Sequence, residues 1–183
     1  FIRSLVGRET LRPELNLSNI TGEDIGCFII MTNADKNGMK EAAEIFRKEI
    51  GDEWHIKVLN GDYTTNNKAT VETKQEINEA KIAGKRGVII ITNQMGTRSY
   101  SVPEVQATVL AYDCGSVESS TQKLSRCLTP GLTYNGSEKK YGHIVDLSFD
   151  PNRSENLIGL LLDEIIHVKK SKGISHSDAI RYV

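Results

Sequence analysis

The stretch Arg86–Asn93 reads RGVIIITN and is the most hydrophobic of the segments that predict a β-strand in this chain. Four consecutive aliphatic β-branched residues are followed there by a threonine and an asparagine. A short apolar run without alternating polar residues is typical of a parallel-sheet strand that is buried on both faces. A second stretch, Cys27–Asn33 (CFIIMTN), has the same form and ends in the same Thr-Asn pair. The two stretches therefore predict two buried strands of a parallel sheet.

Two helices are predicted between the strands of this sheet. Residues 33–54 carry apolar side chains three and four positions apart, the spacing of one helix face, at Met39, Ala42, Ala43, Phe46 and Ile50. Gly51 ends this amphipathic run. A more polar helix is predicted within residues 66–85, with a thin apolar stripe of Val71, Ile77 and Ala80.

Three further strands complete the prediction. WHIKVLNGD, from Trp54, places Trp54, Ile56 and Val58 on one face, and VQATVLAYDCG and GHIVDLSF follow later in the chain. A last long helix is predicted over residues 154–173. Strands that alternate with helices predict an α/β fold, a three-layer domain whose mainly parallel sheet of about five or six strands is flanked by helices.

The composition is that of one ordinary globular domain. The chain has 183 residues, of which 38% are hydrophobic and 26% charged. We interpret residues 24–183 as the domain and residues 1–23, which mix charged and polar side chains with a proline, as a linker or a short lead-in helix. Because the chain starts at Phe1 without a methionine, we expect it to be a piece of a longer polypeptide.

Charge and cysteine content limit the possible partners. A formal net charge of −1 predicts no overall attraction to nucleic acid or to membranes, so any nucleic-acid contact must be local. No apolar run approaches the roughly 20 residues of a membrane span. Three cysteines without a CxxC pattern indicate reduced thiols in a cytosol-like compartment.

The common nucleotide and metal motifs are absent from the sequence. Neither G-x-x-x-x-G-K-[ST] nor G-x-G-x-x-G occurs, so the chain by itself cannot cradle a nucleotide phosphate in the usual way. Asp163–His167 (DEIIH) spells the letters of a DExxH motif but lies within a helical period, where these polar residues fit a solvent-exposed face. We expect no metal site, and we interpret His55, His143 and His176 as surface or core histidines.

Polar loops follow three of the predicted strands, and in a parallel sheet such loops share the edge where ligands bind. With its helix, CFIIMTN resembles motif IV of the superfamily 2 helicases and translocases. ITNQMGTRSYSVPEV resembles their motif V, T-x-x-x-x-R-G-x-D-x-P. Arg98 and Pro103 match that motif, Ser99 and Ser101 stand where glycine and aspartate are usual, and the segment before the arginine is one residue longer.

The segment QKLSRCLT resembles motif VI, Q-R-x-G-R-x-x-R. Gln122 and Arg126 match, Lys123 keeps the positive charge, Ser125 replaces glycine, and Thr129 stands in the place of the final arginine. The resemblance extends over about residues 24–170, with the three motifs in the family's order. The chain is thus similar to the second (C-terminal) RecA-like domain of a superfamily 2 helicase. Its departures from the motifs are closer to phage-encoded or restriction-associated helicases than to DEAD-box proteins.

The resemblance implies a role for each matching residue. It places Arg126 and Gln122 at the transferred phosphate of ATP, with Arg126 as the arginine finger, and it assigns the rest of the nucleotide contacts to Ser99, Ser101 and Thr129. A helix brings positions i and i+4 to one face, and guanidinium is a permanent cation with a rigid fork of donors. Nucleic-acid phosphates would meet Thr32, Asn33, Thr92, Asn93 and Arg98, which is contact without base reading.

The implied protein is larger than this chain. ATP, with its Mg²⁺, would be held mainly by an absent N-terminal RecA-like domain of the same polypeptide, and this chain alone would not hydrolyse it. The partners would be single- or double-stranded nucleic acid, DNA more than RNA, in the cytoplasm of a bacterium or of a phage-infected host. Two alternatives remain open: a stand-alone flavodoxin-like module for a small molecule or signal, and a plain solvated helix carrying Gln122 and Arg126.

Overall fold

The structure is a computed structural model that describes residues 2–7, 16–59, 66–93, 100–112, 125–147 and 167. Its five strands are β1 (Cys27–Met31), β2 (Trp54–Leu59), β3 (Gly87–Thr92), β4 (Ala107–Leu110) and β5 (His143–Asp146). The helices are α1 (Ile2–Leu5), α2 (Leu17–Thr21), α3 (Lys36–Ile50) and α4 (Asn66–Ile82), with short 3-10 helices at Gly51–Glu53 and Ser125–Leu128. No helix among the described residues is long and apolar enough to cross a bilayer.

The sheet has the strand order β2-β3-β1-β4-β5, and every neighbouring pair is parallel. In the centre Cys27 pairs with Val88 and Met31 pairs with Thr92, so the two apolar stretches lie side by side in register. The five-stranded parallel sheet and the helices on its faces confirm the predicted α/β fold class. Within the described part of the predicted fourth strand, residues 105–112, the extended and paired residues are Ala107–Leu110.

Each face of the sheet carries its own hydrophobic core, which makes the domain three-layered. Because side chains alternate along a strand, Cys27, Ile29 and Met31 face the α4 side, while Phe28 and Ile30 face the side of α1 and α3. All five are at most 3% exposed. The central strands read as unbroken apolar runs for this reason.

The prediction for α3 is confirmed. Met39, Ala43 and Ile50 are buried, and Ala42 and Phe46 pack partly buried against the same core. The Asp35 side chain accepts a hydrogen bond from the Gly38 N–H at the start of the helix. Gly51, with φ 69°, ends it.

The predicted apolar stripe of α4 is wrong at one position. Ile77 and Ala80 are buried, but Val71 is 62% exposed. Six residues separate Val71 from Ile77, which is about 240° of helical rotation, so the two side chains cannot share a face. The buried face follows three- and four-residue steps through Ala69, Thr73, Glu76, Ile77 and Ala80.

The structure of β2 and of the first residues agrees in part with what the sequence predicts. Trp54 and Ile56 are buried as predicted, whereas Val58 is only half-buried against the same core. Residues 2–5 and 17–21 form short helices. Ile2 and Leu5 are buried in the α3-side core. Of the last long helix the structure describes only His167, which is helical and exposed, so the rest of that prediction lies outside the described residues.

Candidate functional site

Four predicted nucleic-acid contacts meet at the carboxyl edge of the sheet, because β1 and β3 end side by side. The Thr32 N–H donates to the Thr92 carbonyl at 2.9 Å. The Ala34 N–H donates to Thr32 Oγ1 at 3.1 Å, and Asn93 Nδ2 donates to the Ala34 carbonyl at 3.2 Å. These bonds tie the two strand ends into one small polar surface.

The four residues differ in exposure. Asn33 is exposed, and Thr32 and Asn93 are half-buried. Thr92 is fully buried, and its Oγ1 has no hydrogen-bond partner among the described residues. A phosphate approaching this edge would therefore meet Asn33 first. It would also meet the carboxylate of Asp35, which already caps the positive end of α3 and repels an anion there.

Arg126 lies in the 3-10 helix Ser125–Leu128 and is only 9% exposed. Its Nη1 donates to the Tyr100 carbonyl at 3.1 Å, and the guanidinium lies 5.9 Å from the centre of the Tyr100 ring. Burial lowers the pKa of Arg126, and the nearby Tyr100 opposes that effect. An arginine remains a cation at neutral pH even so. The alternative that Arg126 is a solvated surface residue is thereby wrong.

Tyr100 connects Arg126 to the interior. It is 5% exposed, and its hydroxyl donates to Thr73 Oγ1 on α4 at 3.1 Å. Burial raises the pKa of this hydroxyl, with the hydrogen bond to Thr73 acting in the opposite direction. Since Tyr100 lies between Ser99 and Ser101, the segment that resembles motif V directly holds the arginine of the segment that resembles motif VI.

Of the other predicted site residues, two are described by the structure and three are not. Ser101 is exposed and Thr129 is half-buried. Gln122, Arg98 and Ser99 lie outside the described residues. The predicted helix around Gln122 is described only from Ser125, where the chain forms a 3-10 turn.

Sequence reasoning missed a hairpin that contacts the loop carrying Tyr100 and lies at the amino edge of the sheet. In residues 131–139 the Thr133 N–H donates to the Ser137 carbonyl at 2.8 Å, and Gly136 takes the left-handed backbone conformation with φ 81°. Leu132 and Glu138 form an antiparallel bridge. The dipeptide Asn135-Gly136 was the signal that could have found it, because Asn-Gly between two short runs indicates a hairpin turn.

Two histidines have carboxylate partners that their sequence neighbours do not show. His143 Nε2 lies 3.3 Å from Glu23 Oε2, and His55 Nε2 lies 2.7 Å from Glu76 Oε2. The other oxygen of Glu76, Oε1, contacts the ammonium of Lys57. Burial by itself would raise the pKa of Glu76, but the hydrogen bonds from Lys57 and His55 outweigh it and lower that pKa.

The ligand atoms of His55, Glu76 and Glu79 lie within 4.8 Å of one another, a spacing that a metal ion could use. However, Lys57 already neutralises Glu76, whose side chain is only 8% exposed. We therefore assign this cluster to the stability of the contact between β2 and α4.

No family model and no curated protein matches the chain. Solved structures that resemble this chain include domains of DEAD-box proteins. A variant C-terminal domain of S. cerevisiae Dbp5, bound to a Gle1 variant and IP6, has 18% identity, a TM-score of 0.45 and coverage of 86% of this chain and 76% of that one. Domain 2 of the DEAD-box helicase Mss116p, bound to an RNA duplex, has 13% identity, a TM-score of 0.47 and coverage of 91% and 69%. A further C-terminal domain of Dbp5 has 18% identity, a TM-score of 0.42 and coverage of 87% and 78%. Likeness of this degree says nothing about the chemistry of a site.

Proposed function

We propose that this chain is the second motor domain of an ATP-dependent nucleic-acid helicase or translocase. The observation that carries the proposal is the contact between Arg126 and Tyr100. Two segments that resemble different helicase motifs, 26 residues apart at this contact, are joined by a buried hydrogen bond. A solvated helix would not produce this contact.

The proposed role of Arg126 is to stabilise the negative charge that develops on the transferred phosphate. In the described conformation the guanidinium donates to a neutral carbonyl. A hydrogen bond to an ionised phosphate is roughly twice as strong as a neutral one, so exchanging the carbonyl for the phosphate is favourable when ATP arrives. Tyr100 would then hold Arg126 in a resting position close to its place of action.

The remaining nucleotide contacts are proposed for Gln122, Ser99, Ser101 and Thr129. These residues fit the edge of a nucleotide site, because hydroxyl and amide groups bind ribose or phosphate oxygen. They do not fit the whole of it, since the sequence has neither a P-loop nor an Asp-Glu pair in a strand to hold Mg²⁺. ATP and its Mg²⁺ would be bound by an N-terminal RecA-like domain of the same polypeptide, and ATP would supply the free energy of phosphoryl transfer.

For nucleic acid we propose a path along the carboxyl edge, with Thr32, Asn33 and Asn93 as polar contacts and Arg98 as the cation. Thr92 contributes to this edge through its carbonyl, which accepts a hydrogen bond from the Thr32 N–H, and not through its buried hydroxyl. Contacts of this kind touch phosphate and not bases, so binding would tolerate any sequence. We further propose DNA over RNA as substrate, kinship to phage-encoded or restriction-associated helicases, and a cytoplasmic location.

The test is ATP hydrolysis by the full-length polypeptide that the proposal requires. Arg126→Ala should reduce nucleic-acid-stimulated turnover by about a thousandfold or more, the scale of arginine-finger losses, with little change in nucleic-acid affinity. Arg126→Lys should be nearly as damaging, because an ammonium lacks the planar fork. Lys123→Ala is the matched control. Equal losses in the two alanine variants would show that charge in general matters, and no loss in either would refute the role of Arg126.

The same assay separates the motor from the alternative module. If the chain belongs to a motor, ATP hydrolysis by the full-length protein should be stimulated by single-stranded or duplex DNA. RNA is tested in parallel. A complete gene that ends near the limits of this chain, without a P-loop segment, would instead favour a stand-alone small-molecule module.

A further inference from the structure

The 3-10 helix Ser125–Leu128, which we name the Arg126 turn, is followed after two residues by the hairpin Gly131–Lys139, which we name the clamp hairpin. Its two arms are joined by the hydrogen bond from the Lys139 N–H to the Gly131 carbonyl at 2.9 Å. The bond from Thr133 to Ser137 closes its tip. These two hydrogen bonds hold the hairpin closed.

The clamp hairpin is fixed to the amino edge of the sheet. Tyr134 is 5% exposed and donates through its hydroxyl to the Lys85 carbonyl at 2.9 Å. Its ring lies so close to Gly26 that a Cβ atom there would be 2.7 Å from Tyr134 Cδ1. Asn135 Nδ2 donates to Asp24 Oδ2 at 2.6 Å. The hairpin is thus attached to the segments that precede β1 and β3.

From this position the clamp hairpin holds the loop that carries Tyr100. Lys139 Nζ donates to the Pro103 carbonyl at 2.7 Å and to the Val105 carbonyl at 3.1 Å. The Val105 N–H donates to the Val102 carbonyl at 3.1 Å, which makes residues 102–105 a closed turn. Lys139 is half-buried, so its ammonium is partly withdrawn from water and committed to these carbonyls.

The hairpin also contacts the same loop at its first residue. A Cβ atom on Gly131, whose φ is 144°, would lie 2.6 Å from Pro103 Cβ. Gly131 is three residues beyond the end of the Arg126 turn. Both partners of the contact between Arg126 and Tyr100 are therefore attached to the clamp hairpin. The loop that carries Tyr100 is attached through Lys139, and the Arg126 turn is attached through its short connection to Gly131.

We propose that Lys139 is a positioning residue that fixes the turn Val102–Val105 and, through it, the Tyr100 carbonyl that holds Arg126. Its consequence for turnover rests on the proposed function, whereas its consequence for the position of Arg126 does not. Burial lowers the pKa of Lys139, opposed by Cys127 in the Arg126 turn, Cys27 in β1 and Glu104 in the turn Val102–Val105. This agrees with an ammonium that has exchanged water for carbonyl partners.

The first test uses NMR on the chain itself. In Lys139→Met, hydrogen exchange of the Val105 amide should accelerate tenfold or more, and the Arg126 Nε–H signal should show increased side-chain motion. The Val88 amide, which donates to the Gly26 carbonyl in the core, is the internal reference and should change little. Lys140→Met, at the exposed neighbouring position, is the matched control and should leave all three signals as they are.

Two outcomes of this test overturn the proposal. One is unchanged Val105 exchange and Arg126 motion in Lys139→Met. The other is equal acceleration of Val105 and Val88, which would mean general destabilisation. If Lys139→Met does not fold, the unmodified chain still decides: protons of the Lys139 ammonium should exchange with water more slowly than those of Lys140, and equal rates would refute the hydrogen bonds on which the proposal depends.

The second test measures turnover in the full-length polypeptide. Lys139→Met should lower kcat about tenfold or more while KM for nucleic acid stays unchanged, since small misplacements of a reacting group are costly. If Arg126→Ala leaves turnover intact, the proposed function fails and the NMR result stands by itself. If Arg126→Ala abolishes turnover and Lys139→Met does not affect it, the positioning role fails.

Discussion

Replacing Glu76 with glutamine tests the ion cluster between β2 and α4 with little change of shape. The substitution removes one charge while the side chain keeps its length and one oxygen. Glu76 accepts from His55 at 2.7 Å and contacts Lys57, and each hydrogen bond to a charged group contributes roughly 1.5–3 kcal/mol when well shielded. The side chains of Lys57 and His55 are 45% and 26% exposed, so water screens both contacts. We therefore expect Glu76→Gln to lower the free energy of unfolding by about 2 kcal/mol at neutral pH.

The effect has a defined pH dependence. The pKa of Glu76 is lower in the folded protein than in the unfolded chain. Its carboxylate therefore contributes stability above the ordinary glutamate pKa of about 4.3, and that contribution is lost as the pH falls through the folded pKa. The difference in stability between the two proteins should be complete near pH 7 and should shrink steadily at pH values below about 4.

Urea unfolding followed by tryptophan fluorescence measures this difference. Trp54 is the only tryptophan of the chain, is 3% exposed and precedes His55 in β2, so its emission reports unfolding at the cluster. Glu41→Gln, at an exposed position on α3 and outside the cluster, is the matched control. A loss in Glu76→Gln below about 0.5 kcal/mol, or a loss that stays constant from neutral pH to about pH 3.5, would refute the reasoning.

Three further expectations follow from the described contacts. Gln106→Leu should lower the free energy of unfolding in urea by about 2–4 kcal/mol. The fully buried amide accepts from the Gly26 N–H and donates to the Asp24 carbonyl, and leucine leaves both of those groups unpaired. A loss no larger than that of a substitution at an exposed position would contradict this expectation. The chain alone should hydrolyse no ATP with or without nucleic acid, and turnover that copurifies with it through repeated chromatography would count against the split motor. Binding of oligonucleotides to the chain should be weak, independent of sequence and strongly reduced by salt, so tight binding that ignores salt in a fluorescence titration would be evidence against the proposed path.

The central part of the fold could be predicted from the sequence because its signals are local. The apolar runs of β1 and β3 are continuous since both faces of each strand are buried, and no long-range information is needed to recognise this. Parallel strands end at one edge, so the meeting of Thr32 with Thr92 follows from the fold class. The spacing of apolar residues in α3 identified its buried face. In α4, Val71 was assigned to the buried face because it is apolar, although its spacing from Ile77 excludes that position.

Contacts between distant residues were decided by the tertiary structure. Whether Arg126 faces water or the interior depends on Tyr100, 26 residues away, and the anchoring of that loop depends on Lys139 at a separation of 34 and 36 residues. Glu76 has its partners on β2, 21 residues away at His55. Composition and periodicity predict which residues are buried. They do not predict the partner of a polar side chain, because it can form its hydrogen bonds with solvent or with a distant residue at similar free energy. The sequence by itself therefore determined the layers and the strand ends, while only the packing of those layers determined which polar groups meet.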